Sequence, residues 1–209
     1  ADHPVVKTLE EEGVQFESFD DIYQTHTSFS EVYHEIVERL LMAAKKEPII
    51  YAVPGHPLVA EQTVQMLLKN QEEGKALVEL AGGHSFLDAL FQALGIDPIE
   101  GLQLLDATTF EKSHVQLRQH VIIGQVYDTF TASRVKLELM ELLPHDYQVF
   151  IITDAGTEKE KVKKLPLYEL DHDFQVHNLA SVYVPPVQDE KILYKDFSYL
   201  RWIIATLRG

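Results

Sequence analysis

Apolar residues spaced three and four positions apart predict amphipathic helices in several segments of the chain. The longest runs from Glu31 to Lys46, with glutamates on the opposite face, and Ser28 or Ser30 can cap it. A shorter helix is predicted to begin at Val5 and to end at Gly13. Thr131 or Ser133 is predicted to cap a later helix. The apolar positions of the remaining predicted helices are Val59, Thr63, Met66 and Leu67; Phe86, Leu87, Leu90, Phe91 and Leu94; Val135, Leu139, Leu142 and Leu143; and Phe197, Leu200, Ile203, Ile204 and Leu207.

Short apolar or alternating runs between these helices predict β-strands, and residues 20–27 form a polar loop. Lysines along residues 161–165 are typical of an edge strand that avoids pairing with other molecules. Strands alternate with helices throughout, which indicates an α/β protein. The predicted strands cover residues 14–19, 49–53, 75–80, 121–127, 148–152, 161–165 and 181–184.

The sequence Pro54-Gly55-His56-Pro57 interrupts the chain between a predicted buried strand and a predicted helix. In an open α/β sheet such a loop lies at the carboxyl end of its strand, where ligands bind. Gly55 allows a ligand to approach the backbone closely, and Pro57 suits a first helical turn. The alternative is an ordinary connection, since the same residue types form turns without any ligand.

The length of 209 residues allows one large domain or two small ones. A polar break at residues 70–74 predicts a first α/β domain over residues 1–74 and a second, mixed α/β domain over residues 75–209. The net charge of −15 makes nucleic acid an improbable partner. The absence of cysteine excludes disulfides and thiolate metal sites and fits the cytoplasm. No apolar run reaches the roughly 18 residues that span a bilayer.

A serine hydrolase is one hypothesis, because Gly83-His84-Ser85 lies between a predicted strand and a predicted helix, as a nucleophile elbow does. Leu87 occupies the position where the elbow has its second glycine, so Ser85 is better explained as a helix cap. Asp154 and His172 are available as partners but are not distinctive.

Two further motifs carry weaker hypotheses. Ser133 and Lys136 match the S-x-x-K pattern of acyl-enzyme hydrolases, but no companion motif is present, and the lysine is predicted to face solvent. Carboxylates and histidines are densest at Asp171, His172, Asp173 and His177, without a recognised metal-ligand spacing. We interpret the first as chance and the second as a solvated loop, so no metal is expected.

Several segments, taken in order, resemble the tetrapyrrole (corrin/porphyrin) methylase family. They are YAVPGHPLVAEQTVQMLL, ELAGGHSFLDALFQALGIDP, GLQLLDAT, VIIGQVYDTFTASRVKLELMELLP and LASVYVPP. The chain is most similar to the methylase-like N-terminal domain of bacterial proteins that fuse it to a MazG-type nucleoside triphosphate pyrophosphohydrolase. The final FSYLRWIIATLRG resembles the junction at which the pyrophosphohydrolase begins.

The resemblance implies a two-domain tetrapyrrole methylase-like fold, with a parallel sheet in the first domain and a mixed sheet in the second. It implies a homodimeric methyltransferase that binds S-adenosylmethionine in the cleft between the domains and methylates a small molecule such as a tetrapyrrole. The family's cofactor-binding positions fall on Pro54, Gly55, His56, Val59, Ser85, Phe86, Gln125 and Gly156. No catalytic residue is implied, because methyl transfer mainly requires alignment of donor and acceptor.

The chain departs from the family pattern at two places. His56 stands where the family's cofactor loop has aspartate, which removes a fixed acceptor. The family's first strand and its G-x-G-P-G-D loop have no counterpart, so we expect an N-terminally truncated domain that is a poor catalyst. The alternative from another class is a non-catalytic ligand-sensing or oligomerising module that serves the attached pyrophosphohydrolase.

Overall fold

A computed structural model describes residues 4–26, 28–172 and 179–188 of the chain. The described residues form two compact units, which lie within Ala1–Ser85 and Phe86–Gly209. A domain boundary after Gly74 stays a prediction from the sequence. Asp173, His177 and the helix predicted around residues 197–207 lie outside the described residues.

Unit 1, as described, contains four helices: α1 (Pro4–Glu11), α2 (Asp20–Thr25), α3 (Phe29–Ala44) and α4 (Gln62–Glu72). The hydroxyl of Ser28 accepts the backbone N–H of Glu31, which confirms it as a helix cap. Gly13 ends the first helical segment at a positive φ of 73°, as predicted. A core forms where α2 and α3 meet, and its buried members are Ile22, Val32, Ile36 and Leu40.

Three strands predicted in unit 1 are wrong, because these segments form no backbone pairing with another strand in the described residues. Residues 14–19 are irregular, and all but the partly buried Phe19 are exposed. The loop predicted at 20–27 contains α2, because Ile22 is needed in the core. Residues 49–53 and 75–80 lack any strand pairing within the described part of the chain. Ile50 is 98% exposed and Leu77 is 85% exposed, so their apolar character alone did not establish burial. A strand requires a partner for its backbone groups, and a local pattern does not reveal whether one is present.

Unit 2 is built on a five-stranded mixed sheet, which confirms the predicted mixed α/β architecture. Its strands are β1 (Leu102–Asp106), β2 (His120–Gly124), β3 (Gln148–Thr153), β4 (Lys161–Pro166) and β5 (Ala180–Val184), in the order β1-β2-β5-β3-β4. The first two strands are parallel, and β5 is antiparallel to both of its neighbours. Consequently β1, β2 and β3 run in one direction and end at the same sheet edge. The lysine-rich β4 is an edge strand, as predicted.

Two helices cover the faces of this sheet: α5 (Phe86–Leu94) and α6 (Thr129–Leu142). Leu90 of α5 packs with Ile122 and Tyr183 on one face, while Ala132, Val135 and Leu139 of α6 pack on the other. All residues of β2 and β5 are buried, so they are the central strands of the unit. Three-residue 3₁₀ turns connect the elements at Pro98–Glu100, Ala107–Thr109, Lys112–His114 and Leu167–Glu169.

Two side-chain predictions on α6 are corrected. The helix is capped by Asp128, whose carboxylate accepts the N–H of Thr131, and neither Thr131 nor Ser133 is the cap. Lys136 does not face solvent: its ammonium lies 2.7 Å from both carboxylate oxygens of Asp171, to which the Ser133 hydroxyl also donates at 2.5 Å. Ser133 and Lys136 therefore link α6 to Asp171, in the turn after Leu167–Glu169, by a hydrogen bond and an ion pair.

Candidate functional site

The two loops predicted to bind a cofactor in unit 1 lie against each other. A Cβ placed on Gly83 would be 3.3 Å from the carbonyl oxygen of Gly55, and one placed on Gly55 would be 3.6 Å from the carbonyl oxygen of His84. Gly55 has a φ of 84°, a conformation that other residues rarely adopt. Residues 54–59 and 82–85 are named here the paired loops. A Cβ on Gly83 would require the facing carbonyl to shift by a few tenths of an ångström, whereas one on Gly55 would make ordinary contact.

His56 organises the first of the paired loops. Its Nδ1 accepts the backbone N–H of Leu58 at 3.1 Å, and its carbonyl oxygen accepts the N–H of Val59 at 3.0 Å. Nδ1 is thus engaged inside the loop, and the loss of the family's fixed acceptor for the cofactor stays a prediction. The ring edge with Nε2 lies 4.0 Å from the Cβ position of Gly82, on the second paired loop.

Helix α4 begins later than the sequence pattern indicates. It starts at Gln62, so Pro57 and Val59 belong to the turn that precedes the helix. Ala60, next in the chain, has a φ of 59°. A left-handed alanine costs about 1–2 kcal/mol, so the surrounding contacts must hold the chain on this path. The loop is consequently longer and more strained than a simple strand-to-helix turn.

Glu61, which follows this loop, is a titratable group that no sequence pattern singled out. Its side chain is half-buried, and burial raises the pKa of its carboxyl to about 7. Nearby, the hydroxyls of Tyr51 and Thr63 lie 3.0 Å apart, and burial also raises the pKa of Tyr51. Glutamate at the start of a helix is commonplace, and no sequence signal marked this one as half-buried.

In unit 2 the predicted residues Gln125 and Gly156 lie at the sheet edge where β1, β2 and β3 end. Gln125 directly follows β2 with a φ of 61°, and Asp154 directly follows β3 with a φ of 52°. The N–H of Val126 donates to Ala180, and that of Asp154 donates to Leu179, so both connections are attached to the start of β5. These left-handed residues turn the chain away at the end of each strand.

The N-terminal part of α5 packs against this edge. The ring of Phe86 lies 3.7 Å from the Cβ position of Gly124, next to Gln125. One turn further on, a Cβ on Gly156 would lie only 2.9 Å from the Cβ of Ala89. The structure therefore brings Phe86, Gln125 and Gly156 to one edge of unit 2, as it brings Gly55, His56 and Ser85 to the paired loops of unit 1.

The paired loops fit a ligand that is held by backbone groups. The N–H groups of Gly55, Gly82 and Gly83 have no hydrogen-bond partner within the described part of the chain, and these residues are exposed. A Cβ on Gly83 would crowd the carbonyl oxygen of Gly55, which favours glycine at this position. Exposed backbone donors and acceptors of this kind can form hydrogen bonds with a small polar ligand.

Other site classes receive no support. Across the described ranges, no three His, Asp or Glu side chains are grouped so that they could hold a metal ion. Asp171, a member of the dense carboxylate and histidine segment, is occupied by its ion pair with Lys136. No helix that the structure describes is both long and apolar enough to cross a lipid bilayer.

Comparison with known proteins identifies a matching family and a homologous protein that is longer than this chain. A model of the family described as Tetrapyrrole (Corrin/Porphyrin) Methylases matches residues 1–171. The uncharacterized protein YabN of Bacillus subtilis (strain 168) is 53% identical over 208 residues, which cover 100% of this chain and 42% of YabN. The chain therefore spans less than half the length of this relative.

Solved structures share the fold. Uroporphyrin-III C-methyl transferase from Thermus thermophilus, complexed with S-adenyl homocysteine, has a TM-score of 0.56 at 19% identity, covering 72% of this chain and 71% of that chain. Diphthine synthase has a TM-score of 0.55 at 18% identity, covering 80% of this chain and 71% of that chain. The methyltransferase CobJ has a TM-score of 0.56 at 12% identity, covering 75% and 71%, respectively. These likenesses confirm the predicted tetrapyrrole methylase-like fold.

Proposed function

The chain belongs to the tetrapyrrole (corrin/porphyrin) methylase family, and from this membership we propose that it is an S-adenosylmethionine-dependent methyltransferase domain. The observation that carries the proposal is the close approach of the paired loops, with Gly83 packed against the carbonyl oxygen of Gly55. It is supported by a solved structure of the same fold that holds S-adenyl homocysteine.

The chain's own residues supply binding and orientation in this proposal. In unit 1, we propose that backbone groups of Gly55, His56 and Ser85 contact the cofactor. In unit 2, Phe86, Gln125 and Gly156 stay predicted cofactor-binding positions. S-adenosylmethionine, when bound, supplies an electrophilic methyl group on a sulfonium. Transfer then depends mainly on holding donor and acceptor in line, which alone can contribute about 7–11 kcal/mol.

The acceptor proposed from the family is a small molecule such as a tetrapyrrole. We also propose that the chain is the methylase-like part of a longer protein, because it covers 42% of YabN. The homodimer, the fused pyrophosphohydrolase, the cytoplasmic location and the low activity of the 209-residue chain stay predictions.

The test is a calorimetric titration of the 209-residue protein with S-adenosylhomocysteine. We expect saturable binding that is lost in Ser85→Trp, whose bulk fills the second paired loop, and retained in the matched Ser113→Trp, where an exposed serine lies in the Lys112–His114 turn. Absence of binding by protein that circular dichroism shows to be folded would refute the proposal. Saturable binding of a nucleoside triphosphate instead would favour a ligand-sensing module.

A further inference from the structure

The hydrogen bonds of His56 determine its tautomer. A neutral imidazole has one nitrogen that donates and one that accepts. Because Nδ1 accepts the N–H of Leu58 at 3.1 Å, the proton of the neutral ring resides on Nε2. The protonated Nε2 is the edge that faces Gly82 on the second paired loop.

His56 also determines the path of its own loop through two hydrogen bonds. The carbonyl oxygen of His56 accepts the N–H of Val59, and Nδ1 accepts the N–H of Leu58, so both amides of the turn are bound to one residue. The chain then passes through the left-handed Ala60. If the side-chain acceptor is removed, the Leu58 amide can turn to water, and the strained path loses one of its supports.

We infer that His56 is a positioning residue of the paired-loop site: its Nδ1 acceptor holds residues 55–58 in the shape in which the Gly55 backbone faces Gly83. This inference rests on the proposed function, because it concerns the same site. It is independent of any contact between the imidazole and the ligand. The requirement is for an acceptor that reaches the N–H two residues ahead, and an asparagine side chain can supply it through an Asx turn.

The experiment compares S-adenosylhomocysteine affinity in wild type, His56→Ala and His56→Asn by calorimetry. We expect the alanine variant to bind about fivefold more weakly, from the loss of one hydrogen bond worth about 1 kcal/mol, and the asparagine variant to bind within about twofold of wild type. The matched control is His114→Ala, which removes an exposed histidine from a turn in unit 2. Equal affinity of the alanine variant and wild type, or equal weakness of the alanine and asparagine variants, would overturn the inference.

A second measurement needs no ligand and separates this inference from the proposed function. Nitrogen-15 NMR of the His56 ring should show a protonated Nε2 and an unprotonated Nδ1. Hydrogen exchange should be slow at the Leu58 amide in wild type and His56→Asn and faster in His56→Ala. If wild type binds no S-adenosylhomocysteine, the proposed function fails, and these two signals still decide the role of His56. A proton on Nδ1, or identical Leu58 exchange in all three proteins, would contradict that role.

Discussion

Substitution of Gly156 by alanine tests the packing of α5 against the sheet edge of unit 2. Gly156 has a φ of 78°, and its Cβ position is 2.9 Å from the Cβ of Ala89. Its turn has little freedom to shift, because the Gly156 N–H donates to the Glu160 carboxylate at 2.7 Å and the Thr157 N–H donates to the Asp154 carbonyl at 3.1 Å. Both the backbone conformation and the contact therefore oppose a methyl group.

The two costs can be separated with a second glycine. Left-handed alanine costs about 1–2 kcal/mol, and overpacking adds about 1–3 kcal/mol, so Gly156→Ala should lower the free energy of unfolding by about 2–5 kcal/mol. Gly95 has a φ of 63° but no atom within 4 Å of its Cβ position. Gly95→Ala should therefore cost only the backbone share, about 1–2 kcal/mol.

The assay is urea denaturation followed by circular dichroism, with hydrogen exchange of β3 and β5 amides to report unit 2 by itself. In a double-mutant cycle, Gly156→Ala and Ala89→Gly should show a coupling energy of about 1–3 kcal/mol, because Ala89→Gly removes the atom that clashes; the single Ala89→Gly variant measures the cost of about 0.5–1 kcal/mol that glycine has inside α5. Equal destabilisation by Gly156→Ala and Gly95→Ala, together with no coupling to Ala89, would refute the packing described for this edge.

Two pH-dependent predictions follow from the partly buried carboxyl groups of Asp171 and Glu61. Burial raises the pKa of Asp171, but hydrogen bonds from Lys136 and Ser133 outweigh it and hold that pKa below its ordinary value. Asp171→Asn should therefore lower the free energy of unfolding by about 2 kcal/mol at neutral pH, and it should abolish the loss of stability that wild type shows as pH falls into the acid range. The control Asp146→Asn, at an exposed site, should change neither quantity. An unchanged acid profile in Asp171→Asn would contradict the ion pair. The pKa of Glu61 is raised from 4.5 to about 7, so the folded state holds a proton that the unfolded state releases, and unit 1 should lose stability as pH rises from 4.5 to 7. Glu61→Gln should flatten that slope in urea titrations, and a slope equal to that of wild type would show that the carboxyl is not buried.

The sequence by itself determined most helices and four of the five strands of unit 2, while β1 was not predicted. The helical period around Val32 and Ile36, the Ser28 cap and the apolar runs of β2 and β5 are local signals whose physical cause is local, namely burial of one face and satisfaction of free N–H groups. The turn at Gly156 also followed from the end of a predicted strand, whereas the paired loops followed only from their glycines and prolines, because the strands predicted before them do not form in the described residues.

Tertiary structure decided what each segment pairs with. Residues 49–53 and 75–80 have strand-like sequences, but a strand exists only when another backbone accepts its hydrogen bonds, and Ile50 and Leu77 remain exposed. Lys136 pairs with Asp171, 35 positions along the chain, which no helical period can reveal. The acceptor role of His56 and the half-burial of Glu61 likewise depend on how the loop folds back, because hydrogen bonding and desolvation are properties of surroundings assembled from distant parts of the sequence.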